Sequence, residues 1–511
     1  MIREQKKRIT FFLVLLSLLP WIIIFAFPVL SLFRVGSLYG TAGFLIESPG
    51  SFSNFWSGLF ESTLLSKVRF TLWQAGLSAL VAGGLGLALG LALRSSPRAS
   101  FWLRLPFGVP SLVAAVAWVS LLSDSSLRYS FWAVVIAHVV FNVPWVASAV
   151  AEAASSVPQG WEDLARSLGA RRWLRWRTVF FPVLAPAWMS ACVQVFVFCS
   201  MSFALVLFLG GGPPVETLET AIYSSVRMGS LDLIMAARLA FWQLVVCLGP
   251  WLLTRIFWTP IPLAGPALKR ARREPLWHHL AAIVWVLPYF AFFKGLNWPI
   301  FFSGSFWISI RQPLLMSLQL SALVACLSVL WVALATAALL SIHKERARRV
   351  LEFLFLLPSG VSTLTTSMGF WIAYAHWVDP FEGSLGALAL IQALIFFPVV
   401  FRVLWPLLQN PSAPLRQLAR TLGASPLRTW WEVEWPRLRR PVVQCLAMVG
   451  AASLGEVSAV SFFSSEKVQT LPLLVSRSMA QYRFEYASVV AALLFLISGL
   501  LVLSFRMERY R

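Results

Sequence analysis

The sequence predicts an all-α polytopic membrane protein, about twelve transmembrane helices arranged as two parallel six-helix repeats. Three observations carry this. Of 511 residues, 59% are hydrophobic and 12% charged, with mean hydropathy +0.75; ordinary soluble domains carry about 25% charged residues. The apolar residues gather in runs of roughly the 20 residues that a helix needs to cross a bilayer. Two loops 254 residues apart in the sequence repeat one another. Such a composition excludes a soluble enzyme and a disordered chain.

The runs lie at about 10–33, 68–93, 105–123, 130–150, 185–209 and 236–257, then at 278–295, 313–341, 351–375, 384–405, 441–463 and 487–505. The first follows the basic segment Arg3 to Arg8 and is longer than the ~7–15-residue core of a cleaved signal peptide, so it reads as a retained span. The formal net charge is +21. With alternate loops assigned to one side, 31 of the 42 Lys and Arg fall on the side of the N-terminus. Basic residues collect in cytoplasmic loops, which places both termini in the cytoplasm, as an even number of spans also requires. The same bias accounts for the charge without a nucleic-acid partner; lipid is the solvent. The five cysteines all lie in apolar runs without a CxxC pair, and the five histidines show no ligand spacing, so neither a disulfide framework nor a metal site is expected.

The long loops, about 151–185 and 406–440, align without a gap. Asp163-Leu164-Ala165, Leu168-Gly169 and Val179-x-Phe181-Pro182 match Gln417-Leu418-Ala419, Leu422-Gly423 and Val433-x-Trp435-Pro436. Pro144 matches Pro398 at the same offset, and Leu105-Pro106-x-Gly108-Val109 resembles Leu357-Pro358-x-Gly360-Val361. The chain thus reads as a first half, 1–257, a Pro/Gly and basic linker, 258–277, and a second half, 278–511. Two halves of equal orientation form a parallel repeat. In each loop the apolar positions follow the i, i+3, i+4, i+7 spacing of one helix face. Gly169 and Gly423 stand where a helix closes in the left-handed conformation, and Ser425-Pro426 supplies an N-cap and first-turn proline for a second helix. A short amphipathic helix lies on lipid, packs on its own bundle, or docks on a partner. The same helix in both halves favours paired docking.

These residues resemble the cytoplasmic motif of permease subunits in binding-protein-dependent ABC importers: Glu-Ala-Ala, three residues, Gly, nine residues, Ile-x-Leu-Pro. Both copies depart at the first two positions, where Asp163-Leu164 and Gln417-Leu418 stand. The literal Glu152-Ala153-Ala154 has the wrong spacing to glycine. Most of the chain is similar to the fused two-domain permeases of thiamine and ferric-iron importers. The segments Ala137-His138 to Pro144, Gly210 to Pro213, Thr217-Leu218-Glu219, Leu454-Gly455-Glu456 and Gln481-Tyr482-Arg483 carry this likeness, the thiamine permeases foremost. The resemblance implies that each loop docks on one of two ABC ATPase subunits, with Asp163, Leu164, Ala165, Leu168, Gly169, Pro182, Gln417, Leu418, Ala419, Leu422, Gly423 and Pro436 in the coupling surface. It also implies a periplasmic solute-binding protein, and a bacterial inner-membrane location.

No Gly-Lys pair occurs, so the chain carries no GxxxxGK[ST] phosphate loop. No catalytic residue and no cofactor is expected on it; ATP and Mg belong to the partner ATPase. Ionisable residues within spans are candidate sites. Glu456 lies in the eleventh run, about 22 Å along a helix from Pro441 at ~1.5 Å per residue, opposite Ser202 of the first half. It is expected either to attract a cation or to hydrogen-bond a neighbouring helix. His138 and Asn142, one turn apart on the fourth run, either line the pathway or bond between helices. Thiamine or its phosphate is the favoured solute, with ferric iron and polyamines as alternatives. A proton-coupled carrier would place its basic loops after the second span of each half and use buried titratable pairs. A membrane enzyme would show HExxH, GxSxG or a carboxylate cluster. Here the long basic loops follow the fourth and tenth spans, buried acids are nearly absent, and no HExxH, GxSxG or carboxylate cluster occurs.

Overall fold

The computed structural model describes residues 2–32, 52–96, 99–103, 105–228, 231–257, 274–374, 377, 384–409, 413–463, 465 and 467–504, and these are helical apart from short connections. Among them, eight helices are long and apolar enough to cross a membrane, and two bent helix pairs bring the number to ten. Four of the twelve expected spans are therefore not single straight helices of spanning length: two are bent pairs and two are shorter or broken. The run 105–123 begins with a tight turn, Leu105–Gly108, so only Ser111–Leu121 is α-helical; eleven residues rise about 16 Å, half the hydrocarbon thickness. The run 441–463 lies on Trp435–Leu454, whose first turns carry Arg437, Arg439 and Arg440, and is broken before Ser458–Phe462. The run 351–375 bends by 102° between Glu345–Gly360 and Thr363–Tyr374, and the run 278–295 by 51°.

The repeat extends to these irregularities. Leu105–Gly108 and Leu357–Gly360 form the same turn, closed by Val109 N–H donating to Pro106 O at 3.1 Å and Val361 N–H to Pro358 O at 3.2 Å. The helices Phe181–Ser200 and Trp435–Leu454 stop at matching positions, and short helices resume at Ala204 and Ser458.

The chain forms two compact units, and they do not divide at the linker. One comprises 56–300 and 477–492. Its core is the trio of helices Ser62–Leu93, Phe131–Ser156 and Phe181–Ser200. Small residues let them approach: a Cβ added to Gly86 would lie 2.5 Å from Val146 Cβ, and one on Gly90 2.6 Å from Ala147 O. Close backbone approach of this kind replaces the hydrophobic drive that lipid-embedded helices lack. The other unit comprises 1–55, 301–476 and 493–511. Its trio is the corresponding one: Gly304–Ser341, Leu385–Gln409 and Trp435–Leu454. Here buried hydroxyls join the helices, Ser321 donating to Gly450 O at 2.8 Å and Ser328 to Ala393 O at 3.3 Å. The N-terminal helix packs on Gly304–Ser341, where Trp331 Nε1 donates to Ser17 O at 3.0 Å. Of the expected linker, 258–273 lies outside the described residues.

Candidate functional site

The helix Gln159–Ser167 is closed by Gly169 at φ +75°. Ala170 N–H donates to Ala165 O and Gly169 N–H to Arg166 O, each at 2.9 Å. This is the paired closure of a Schellman motif, which satisfies carbonyls that a helix end otherwise leaves open. In the second loop Ala413–Thr421 ends the same way, with Gly423 at φ +78° and Ala424 N–H donating to Ala419 O at 2.9 Å. A Cβ at either glycine would meet nothing within 4 Å, so the residue type answers to backbone conformation alone. The cap expected at Ser425 is present: its hydroxyl accepts from Arg428 N–H at 3.2 Å.

Beyond each closure, a short helix passes through one widened turn, Trp176–Phe180 or Trp430–Glu434. Each ends two residues before a proline, Pro182 or Pro436. Proline has no N–H for the regular i→i−4 bond, and the preceding N–H instead reaches five residues back, Phe181 to Trp176 O and Trp435 to Trp430 O. The same device precedes Pro28, where Phe27 N–H bonds Ile22 O. Ring pairs clasp both loop turns, Trp176 with Phe181 at 5.1 Å and Trp430 with Trp435 at 5.6 Å between centroids.

The apolar face of each loop helix points away from its own chain. Leu164 is 60% and Leu168 77% exposed, and Leu418 is 56% and Leu422 78% exposed. Asp163, Gln417, Pro182 and Pro436 are exposed, and Ala165 and Ala419 half-buried. Each unit therefore carries a glycine-closed amphipathic helix with exposed leucines at the equivalent positions 164/418 and 168/422.

The candidate pathway residues are joined to neighbouring helices. His138 and Asn142 are buried. The His138 ring hydrogen-bonds the Gln74 amide, and Asn142 Nδ2 donates to His138 O at 2.8 Å and lies 3.5 Å from Cys199 Sγ. In the other unit Gln392, the counterpart of His138, accepts from Ser453 Oγ at 2.6 Å; Ser453 is the counterpart of Cys199. The repeat thus preserves a polar tie between equivalent helices while changing both partners. The sequence offset contains this signal, since 138 and 392 are polar positions in otherwise apolar runs.

Glu456 does not lie within a span helix but in the break after Leu454. Its carboxylate accepts from Ser458 N–H at 2.8 Å, from Ala459 N–H at 3.1 Å and from Gln392 Nε2 at 3.3 Å. It thereby serves the open donors of the next short helix. Ser202 occupies the matching break, half-buried and next in sequence to Phe203, whose ring centroid lies 5.0 Å from that of Tyr223. A tie that sequence reasoning missed is a buried hydroxyl on each of the long helices Ser62–Leu93 and Gly304–Ser341 that caps the helix beginning at Leu218 or at Leu471. Thr71 Oγ1 accepts from Leu218 N–H at 2.9 Å, and Ser317 Oγ from Leu471 N–H at 2.8 Å.

Comparison with known proteins accounts for the doubling. Residues 82–257 and 330–510 each match the family described as binding-protein-dependent transport system inner membrane component. The chain is 28% identical to the thiamine transport system permease protein ThiP of Escherichia coli over 86% of its own length and 88% of that protein. It is 29% identical to the Salmonella typhimurium ThiP over 88% and 89%, and 27% identical to the Haemophilus influenzae ThiP over 87% and 89%. With both of its halves matched, this chain belongs to the binding-protein-dependent inner-membrane transport components, as a fused two-domain ABC permease.

Proposed function

We propose that the chain is the translocating subunit of an importer that takes up thiamine or a thiamine phosphate, with both termini in the cytoplasm. Two copies of an ABC ATPase grip the loops at 151–185 and 406–440, and ATP with Mg is bound and hydrolysed there. A periplasmic solute-binding protein delivers the solute. The observation that carries the docking reading is the pair of glycine-closed helices, each presenting two uncovered leucines at equivalent positions. The naming of these relatives as thiamine transport permeases supports the solute. Leu168→Asp with Leu422→Asp places charge on both apolar faces and should abolish co-purification with the ATPase while leaving the chain in the membrane. Undiminished co-purification refutes the docking surface.

Glu456, Ser202, His138 and Asn142 are the residues we propose for the solute's route. The thiazolium ring of thiamine is a fixed cation, and Glu456 supplies the negative charge that would meet it. Glu456→Gln keeps an acceptor for the Ser458 N–H and removes the charge. Uptake of labelled thiamine into vesicles containing the assembled importer should fall at least tenfold, with assembly intact. Normal uptake removes Glu456 from the route; uptake of iron or a polyamine in place of thiamine refutes the solute.

A further inference from the structure

At the end of the Phe131–Ser156 helix opposite the motif loop, the unit comprising 56–300 and 477–492 holds a cleft of about 180 Å³. That is space for roughly six waters at ~30 Å³ each. Its floor is apolar, Val116, Val119 and Met479, and its polar lining is Arg128, Lys294 and the hydroxyls of Ser120, Ser123 and Ser488.

Several features mark it as built for a ligand. The Arg128 guanidinium lies over the Tyr129 ring at 4.7 Å and over the Phe484 ring at 5.2 Å, so its plane is held by aromatic faces and its donors are left for an acceptor. Tyr129 takes φ 58°, in the left-handed region, a conformation costly for an aromatic residue and met where surroundings enforce it. Ser488 is fully buried and its Oγ makes no hydrogen bond within the protein. Gly295 lets the hydroxyls converge: a Cβ there would sit 2.7 Å from Ser488 Oγ and 3.5 Å from Ser120 Oγ. Lys294 Nζ donates to Ser123 Oγ at 2.9 Å and to Asp124 Oδ2 at 2.7 Å, which leaves one of its three protons. Asp124 is the carboxylate paired at the rim, against two cations.

We propose that this cleft binds a phosphate-type oxyanion, Arg128 and Lys294 meeting its charge, Ser488 and Ser120 its oxygens, and the apolar floor the adjoining carbon. A guanidinium, an ammonium and convergent hydroxyls fit a tetrahedral, many-oxygen acceptor better than a planar carboxylate. The phosphate is carried either by a phospholipid headgroup or by a soluble phosphate ester. The proposal stands apart from the importer reading, since no docking residue contributes.

The full-length protein in neutral maltoside detergent is titrated with three probes by microscale thermophoresis: dihexanoyl phosphatidylglycerol, glycerol 1-phosphate and zwitterionic dihexanoyl phosphatidylcholine. Binding of either anionic probe, weakened at least tenfold by Arg128→Gln and by Lys294→Gln, is the expected result. If only the phosphatidylglycerol binds, the source is lipid; if glycerol 1-phosphate binds as well or alone, a soluble ester suffices. Ser488→Ala should weaken binding severalfold, and Arg128→Lys should restore most of it. Lys294 is exposed, so its variant remains informative if Arg128→Gln fails to fold. Absence of binding by both anionic probes, equal binding of phosphatidylcholine, or wild-type affinity in Lys294→Gln overturns the proposal.

Discussion

Gly90→Ala tests the packing argument at one methyl group. The new carbon would lie 2.6 Å from the Ala147 carbonyl oxygen and 2.7 Å from Val150 Cβ. A carbon–oxygen contact is comfortable at about 3.3 Å or more, so the helices Ser62–Leu93 and Phe131–Ser156 must part locally by roughly 0.7 Å. Neither neighbour can swing aside, because one is helix backbone and the other the root of a β-branched side chain. A gap of that width forfeits about a quarter to a half of the dispersion energy of the atoms facing it, and overpacking costs about 1–3 kcal/mol. Against this stands the gain of about 1 kcal/mol that alanine brings to a helix interior. Gly84 on the same helix is the control, since a Cβ there would meet nothing within 4 Å and only the gain applies. Gly90→Ala should therefore be less stable than Gly84→Ala by about 1–3 kcal/mol. The midpoint of thermal loss of the monodisperse peak on size exclusion, measured in one detergent, reads the difference. Equal midpoints, or a higher one for Gly90→Ala, would refute the close-approach reading.

Other perturbations follow from single contacts. Thr71→Val and Ser317→Ala each strand a buried backbone N–H, of Leu218 and Leu471, and should cost about 1–3 kcal/mol apiece by the same thermal assay. Gly169→Ala and Gly423→Ala meet no steric obstacle but force a left-handed alanine, costing about 1–2 kcal/mol locally; faster amide exchange at Ala170 or Ala424 should report the loosened closure. Hydrogen bonds from Lys294 and then Ser123 hold the Asp124 carboxyl below its ordinary 3.8. A depressed carboxyl keeps its charge, and the pair its stability, above that range and loses them as pH falls through the lowered value. The charged groups facing it are Lys294 and Arg128. Affinity for the phosphodiester probe, singly charged throughout, should thus be flat from pH 5 to 8 and higher in Asp124→Asn at every pH. A wild-type titration within that window would contradict the pairing.

Repetition made the loops legible. Asp163 to Pro182 and Gln417 to Pro436 could be aligned by eye, and the glycines, the Ser425 cap and the leucine faces follow from local rules that need no tertiary context. Breaks were less legible, because hydropathy averages over a span. Gly455-Glu456 and the turn at Val361-Ser362 sit inside windows that remain apolar on either side, so twelve runs became fewer continuous helices. Glu456 read as a charge in a span because nothing local tells that the helix has already ended. The division into compact units was hidden for another reason. Sequence repeats record relatedness, whereas packing assigns the N-terminal helix to Gly304–Ser341 and residues 287–295 to Ser111–Leu121. The cleft joins residues from 116 to 488, and no motif links them.

The widened turns before Pro182 and Pro436 have a geometric corollary. Rings five positions apart point about 140° away from each other on a regular helix of ~3.6 residues per turn, yet Trp176 meets Phe181 and Trp430 meets Trp435. The surplus residue brings them together, and so sets the azimuth at which the loop leaves the span. Deleting one residue there would regularise the helix, separate the rings and swing the loop helix by about 100° around the span, while leaving its leucines intact.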